Sequence, residues 1–279
     1  MRFSGLRFAP PENDGSSPRL PCLLRRARRR LLQPRQRFLG AVVALSGPGS
    51  LLVSDALTHA SLVDACRLSR ARVVVTPHND AAAVEHTLAT RSEDRAVVVT
   101  DSVFSADGDL APLGEMYSLA REYGAVLVVD EAHGVGVRGD GGRGLVHELG
   151  LAGAEDIVVT ATLSKSLASQ GGVVLASGKV CAHLVDTART FIFDTGLAPA
   201  AVGAARAALA VLRREPERAR AVLDRAAAIA TIAGVGVPES AVVSVILGDP
   251  QRAFDAATAC LEQGLHVGCF RPPSVPEDT

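Results

Sequence analysis

Ala125-Val126-Leu127-Val128-Val129, followed at once by Asp130-Glu131-Ala132-His133-Gly134, is the stretch that decides the fold. Five apolar residues without alternation read as a short strand buried on both faces. Such strands belong to mostly parallel sheets covered by helices. Two acids and an imidazole directly behind the strand stand where α/β sheets gather ligands, outside the carboxyl ends of their strands. Outward from this stretch the same pattern repeats. Apolar, β-branched runs at 51–54, 73–76, 96–100, 157–161 and 173–176 predict further strands, and amphipathic stretches at 61–69, 80–89, 112–123 and 147–151 predict helices between them. The alternation predicts an α/β fold. After Ala198 come alanine-rich helices predicted at 199–213 and 216–232, a strand at 241–247 and a helix at 249–263, which together read as a smaller α+β lobe.

Composition sets the bounds. A chain of 279 residues with 48% hydrophobic residues is neither disordered nor collagen-like, and it can bury a core without disulfides. No apolar run approaches the roughly 18 residues of a membrane-spanning helix. The cysteines at 22, 66, 181, 260 and 269 lack metal-ligand spacing, so no metal site is expected; scattered thiols suit a reducing, cytoplasmic setting. Residues 1–38 hold ten arginines and two acids, a local charge of +8 against a total of −1, so the rest of the chain carries −9. A nucleic-acid-binding body is therefore not expected. The arginine-rich segment would suit a targeting or nucleic-acid-binding arm, but no apolar period organises it, and the plainer expectation is a disordered or non-homologous tail.

Of the 29 basic residues only Lys165 and Lys179 are lysine. Lysine can form an imine and arginine cannot, so each lysine needs a reason. Lys165 closes Thr162-Leu163-Ser164-Lys165, behind a predicted strand and ahead of Gly171-Gly172, a place that suits a Schiff base with pyridoxal phosphate (PLP). Asp130-Glu131-Ala132-His133 also spells a helicase box, but no phosphate-binding G-x-x-x-x-G-K-[ST] loop accompanies it. Gly134-x-Gly136-x-x-Gly139 has the letters of a dinucleotide fingerprint; more glycine follows instead of a helix, so a flexible loop is expected. His59 lies between a strand and a helix that Ser61 or Thr58 could cap. Asp101 to Asp109, with Ser105 inside, reads as a loop with an Asp-Gly turn. The histidines at 78, 86, 147, 183 and 266 fall on surface or helical positions and receive no role. Four strand ends thus offer His59, Ser105, Asp130 with His133, and Lys165: an imidazole for a ring face, an acid for a pyridinium nitrogen and an amine for an imine, which is what PLP requires.

His59-Ala60-Ser61, then Val103-Phe104-Ser105-x-Asp107-Gly108-Asp109, then Asp130-Glu131-Ala132-His133-Gly134, then Thr162-x-Ser164-Lys165 occur in that order. On these motifs the chain from about Leu39 to Thr279 resembles the α-oxoamine synthases, PLP-dependent transferases of fold type I. Phe191-Ile192-Phe193-Asp194-Thr195-Gly196 and Gly268-Cys269-Phe270-Arg271-Pro272-Pro273 resemble the branch that serves biotin synthesis. The resemblance implies decarboxylative condensation of L-alanine with a pimeloyl thioester, on CoA or an acyl carrier protein, in a cytoplasmic homodimer. A glycine-using relative such as a 2-amino-3-ketobutyrate CoA ligase is the alternative, and a catalytically inactive fragment is another. It also implies roles. Lys165 would hold PLP and later move protons, Asp130 would bind the pyridine nitrogen, and His59 would stack on the ring. His133 and Ser105 would bind the phenolic oxygen or position the thioester. Thr162 would contact the phosphate, and Thr195 would do so from the neighbouring subunit. The family's S-N-D-Y-L-G-type segment, its S-S-G-Y-x-A-N phosphate turn and its C-terminal R-L-R-L-type sequence do not occur here. The expectation is a PLP-binding domain over 39–197 lacking its N-terminal part, a truncated smaller domain over 198–279, and a frameshifted or truncated gene.

Overall fold

The computed structural model describes residues 30–32, 36–272 and 275. Along the chain come β1 (Arg30–Leu32), α1 (Gln36–Leu45), β2 (Ser50–Asp55), α2 (Ala60–Ser69), β3 (Arg72–Thr76), α3 (Ala81–Ala89), β4 (Arg95–Asp101), α4 (Leu113–Glu122) and β5 (Val126–Asp130). Then follow α5 (Leu145–Glu148), β6 (Ile157–Thr162), β7 (Gly172–Leu175), α6 (Gly178–Thr187), α7 (Arg189–Ile192), α8 (Pro199–Arg214), α9 (Glu217–Ala233) and α10 (Pro250–Glu262). Strands β2 to β7 each lie within one residue of the ranges predicted for them. The seven strands form one sheet in the order β1-β7-β6-β5-β4-β2-β3, parallel from β3 through β6, with β7 and β1 joining antiparallel. Arg30–Leu32 belongs to the arginine-rich stretch that shows no period, yet it pairs with β7; three residues are too few to display one. Gln36–Phe38, also within that segment, open α1, and the rest of the expected tail falls outside the described residues.

The period of two along each strand divides the sheet's side chains between two cores. Leu52, Val97, Val99, Val128 and Val158 point to one face, where Val42 of α1, Leu62 and Cys66 of α2, and Leu184 of α6 cover them. Leu51, Val53, Val98, Leu127, Val129 and Ile157 point to the other, against Val84 and Leu88 of α3, Leu113 and Ala120 of α4, and Leu145 of α5. Burial on both faces is why β2, β4, β5 and β6 read as unbroken apolar runs, whereas the edge strand β3 is largely exposed.

Strand order reverses at β2. The crossover through α2 leads from β2 outward to β3, and the crossover through α3 returns over β2 to β4. Right-handed crossovers in opposite directions put their helices on opposite faces, and a crevice opens between them beyond the carboxyl ends of β2 and β4.

Beyond the sheet, α8 and α9 bury only small residues, Ala205 from one and Ala219, Ala226 and Ala230 from the other. The strand expected over 241–247 is irregular backbone. Its residues engage side chains instead of a ladder: Ser244 Oγ donates to the Ala106 carbonyl at 2.7 Å, and the Val242 N–H donates to Ser240 Oγ at 3.2 Å. An apolar run becomes a strand only beside a strand edge that can pair with it. Among the described residues, no helix is long and apolar enough to cross a membrane.

Leu127 is fully buried in the second core, whereas Leu68 on α2 is 62% exposed. Leu127→Ala is expected to lower unfolding free energy by about 3 kcal/mol and Leu68→Ala by less than about 0.5 kcal/mol, measured by chemical denaturation.

Candidate active site

Four parallel strands deliver their carboxyl ends to the crevice, and each ends on a polar residue that its apolar body could not hold. Strand β5 ends on Asp130, which is 2% exposed and takes the Ala132 N–H on Oδ1 at 2.8 Å. Its register partner on β4 is Asp101, also 2% exposed. Asp101 Oδ2 accepts the His59 N–H at 2.9 Å, tying the loop after β2 to the end of β4 across the point where strand order reverses. Burial, and then the negative charge of Asp130 beside it, raise the Asp101 carboxyl well above the usual carboxylate range, against the pull of the His59 N–H and the Lys165 charge.

His133 lies three residues past Asp130, and Lys165 three residues past the end of β6. The Lys165 ammonium donates to His133 Nε2 at 2.6 Å. Burial first, then the Lys165 and His59 charges, push His133 down to about 4, so its ring is neutral at pH 7 and accepts that bond. Lys165 itself is exposed and open to a small molecule. Thr162, buried at the end of β6, shares a hydrogen bond with Ser164 Oγ at 2.6 Å and takes the Ser164 N–H at 3.2 Å, which shapes the turn that presents Lys165.

His59 is exposed, and its Nδ1 caps α2 by accepting the Ser61 N–H at 3.2 Å; the cap is His59, not Ser61 or Thr58. Thr58 is turned inward onto the Asp55 carbonyl. Ser105 is half-buried in the loop after β4, where the predicted Asp-Gly turn is present with Gly108 at φ +76°. Thr195 stands apart, exposed on the segment between α7 and α8, with its N–H on Asp194 Oδ1. The structure therefore gathers Asp130, His133, Lys165 and His59 into one electrostatic group, sets Thr162 and Ser105 on adjoining strand ends, and leaves Thr195 on the surface.

Glu131 of the same tetrapeptide faces inward. It accepts the Ser102 hydroxyl at 2.8 Å and the Val146 N–H at 2.6 Å, so it fastens the glycine-rich stretch and not a ligand. That stretch is a closed turn, not the flexible loop expected: the Gly136 N–H bonds the Gly142 carbonyl at 2.7 Å and the Gly144 N–H the Arg138 carbonyl at 2.8 Å. Gly144 has φ +98°, and a Cβ there would lie 2.8 Å from the Glu131 carboxyl carbon, so only glycine fits. Asp101 was missed as a site residue, although a visible signal marked it: two neighbouring apolar runs, each ending on aspartate.

Residues 37–279 match the family described as aminotransferase class I and II, and the chain belongs to that family. An 8-amino-7-oxononanoate synthase of Mycolicibacterium vanbaalenii is 75% identical over 242 residues, which cover 86% of this chain and 64% of the relative. The chain thus spans about 64% of the length of that curated relative. Among solved structures, an SPT with PLP internal aldimine matches with a TM-score of 0.83 at 31% identity, over 90% of this chain and 65% of that one. An 8-amino-7-oxononanoate synthase from Francisella tularensis matches with a TM-score of 0.77 at 22% identity, over 90% and 75% of the two chains, and shows the same fold. The fold is that of the fold type I PLP-dependent transferases.

A buried acid with a raised pKa binds its proton more tightly folded than unfolded, so the stability it contributes is lost as pH rises above the ordinary carboxylate range. Asp101→Asn is expected to flatten that decline, since the amide oxygen still accepts the His59 N–H. Asp101→Leu is expected to cost about 1–3 kcal/mol at every pH. Denaturation curves across pH check both.

Proposed function

We propose that the chain carries the PLP site of an 8-amino-7-oxononanoate synthase, which joins L-alanine to a pimeloyl thioester with release of CO2 and the carrier thiol. The observation that carries this reading is the exposed Lys165 amine held on a neutral His133, beside the buried Asp101 and Asp130 pair. The residues fit the cofactor: a reachable amine for its aldehyde, a buried acid for its ring nitrogen, and an exposed imidazole for its ring face. The 75% identity to the M. vanbaalenii enzyme supports the choice of reaction, and the SPT structure with PLP supports the choice of cofactor.

When bound, PLP supplies an aldehyde for the substrate's amino group and an electron-withdrawing ring. Asp130 would hold the ring nitrogen and favour a proton there, its negative charge being the one that raises Asp101. Lys165 would hold the cofactor through its amine and would move protons at the substrate's Cα. His133, neutral at pH 7, accepts a hydrogen bond from Lys165 at Nε2 and would bind the phenolic oxygen or position the thioester. His59 would stack on the cofactor ring, and Ser105 would join His133 in binding its phenolic oxygen or positioning the thioester. Thr162 offers its hydroxyl to the phosphate.

In this reading residues 39–197 are the cofactor domain and 198–279 a smaller lobe. The protein acts as a homodimer in which Thr195 reaches the phosphate of the second copy, a role its exposure supports. Free thiols at Cys66, Cys181, Cys260 and Cys269 support a cytoplasmic setting.

The test is a visible-absorption titration of the purified chain with PLP beside a Lys165→Ala variant, followed by product assay with alanine or glycine and pimeloyl thioester. A band in the parent that is absent in the variant, and turnover with alanine that falls on the order of 10³-fold or more in the variant, are expected. A folded parent with no band overturns the cofactor reading, and turnover with glycine in preference to alanine overturns the choice of substrate.

A further inference from the structure

We propose that His78 is a positioning residue which, as an imidazolium, fastens the loop carrying His59 to the loop carrying Ser105. His78 follows β3 and stands between two carboxylates. Its Nδ1 lies 2.9 Å from Asp55 Oδ1 and its Nε2 lies 2.7 Å from Asp109 Oδ2. Asp55 organises one of the two loops through its carboxylate, and Asp109 closes the other through its backbone. Asp55, the last residue of β2, takes the Leu57 N–H on Oδ1 and the Asn79 N–H on Oδ2, both at 2.7 Å, two residues before the chain reaches His59. Asp109 closes the other loop: its carbonyl accepts the Phe104 N–H at 3.0 Å, and Val103 bridges Leu110, with Ser105 inside the closed turn. Asn79 repeats the link, donating its amide to Asp109 Oδ2 at 2.7 Å and to the Leu110 carbonyl at 3.1 Å, from a left-handed backbone at φ +54°.

The geometry assigns the protonation. A neutral imidazole donates through one nitrogen and would turn the lone pair of the other toward a carboxylate oxygen less than 3 Å away. With both carboxylates ionised, only the doubly protonated ring satisfies both. The ring also stands edge-on to Phe104, with centroids 4.4 Å apart. The charged groups that face it are Asp55 from β2 and Asp109 from the loop after β4; Asn79 is its own neutral neighbour. Burial opposes the charge, but the two carboxylates outweigh it and raise His78 above its usual 6.5. A histidine raised in the folded state adds stability that is complete below about pH 6.5 and is lost as pH rises through the folded value. The fastening therefore loosens in base. That it serves cofactor binding rests on the reading given under Proposed function; the fastening itself does not.

The experiment uses the full chain with His78→Gln and Asp109→Asn. The His78 ring is titrated by NMR, amide hydrogen exchange is followed at Leu57, Asn79 and His59, and PLP affinity is measured from low to high pH. The parent ring is expected to titrate above 6.5 and to shift down in Asp109→Asn. His78→Gln is expected to speed exchange at the three amides, to weaken PLP binding about tenfold near neutral pH and to remove its decline in base, with core amides such as Leu127 unaffected. A parent midpoint at or below 6.5, or equal exchange at the three amides in parent and variant, overturns the proposal. If His78→Gln does not fold, the midpoints of the parent and of Asp109→Asn decide. A parent that binds no PLP while midpoint and exchange behave as stated overturns the cofactor reading and leaves the fastening standing.

Discussion

Strands β2, β4, β5 and β6 are buried on both faces, and that constraint arranges the rest of the molecule. A strand so placed has little room for a charged side chain along its length, because burying an unpaired charge costs far more than the strand's pairing returns. Charge is therefore displaced to the strand ends. Asp55, Asp101 and Asp130 are each the last residue of a strand. Parallel pairing then sets these ends side by side, with Asp101 in register with Asp130. The two apolar cores thus do more than hold the sheet; they gather the polar side chains into one crevice at the reversal of strand order.

Once gathered, the same residue types acquire opposite properties from their neighbours. His133 is driven down to about 4 by burial and by cations, while His78, also partly buried, is driven up by two carboxylates. One ring is a neutral acceptor for lysine and the other a charged link between loops. Burial raises both Asp101 and Glu131, but the neighbouring charge of Asp130 adds to the rise at Asp101, whereas donors from the backbone and Ser102 work against it at Glu131. Sequence position alone says nothing of these differences; distance and desolvation decide them.

What was legible in the sequence follows the same division. Strands β2, β4, β5 and β6 were legible because two-sided burial writes itself as an unbroken apolar run, and β3 and β7 by their β-branched residues, β3 although it is largely exposed. Asp130, His133, Lys165 and His59 were legible because their motifs follow those runs at short range. Arg30–Leu32 was not, since a three-residue edge strand leaves no period. The run at 241–247 misled for the converse reason: it has strand composition, but it lies against the loop of Ala106 and Gly108 instead of a strand edge. His78 was invisible because its partners are 23 and 31 residues away, so no local pattern announces them. The glycine-rich stretch was misread as loose because its order comes from Glu131 and from backbone bonds across the turn, not from apolar side chains.

The strand-end loops consequently depend on polar bonds for their order. Apolar packing stops where the strands stop, and beyond that point the segments that carry His59, Ser105 and Lys165 are held by Asp101 on the His59 N–H, by Asp55 and Asp109 through His78 and Asn79, and by Thr162 on the Ser164 N–H. Such bonds fix direction as well as distance, so the groups stand in place before any ligand arrives, and a binding partner need not supply the free energy to order them. They are also the bonds most sensitive to protonation. The apolar faces of the sheet thus exclude charge, and the strand ends at the crevice, where the excluded charge collects, are where protonation acts.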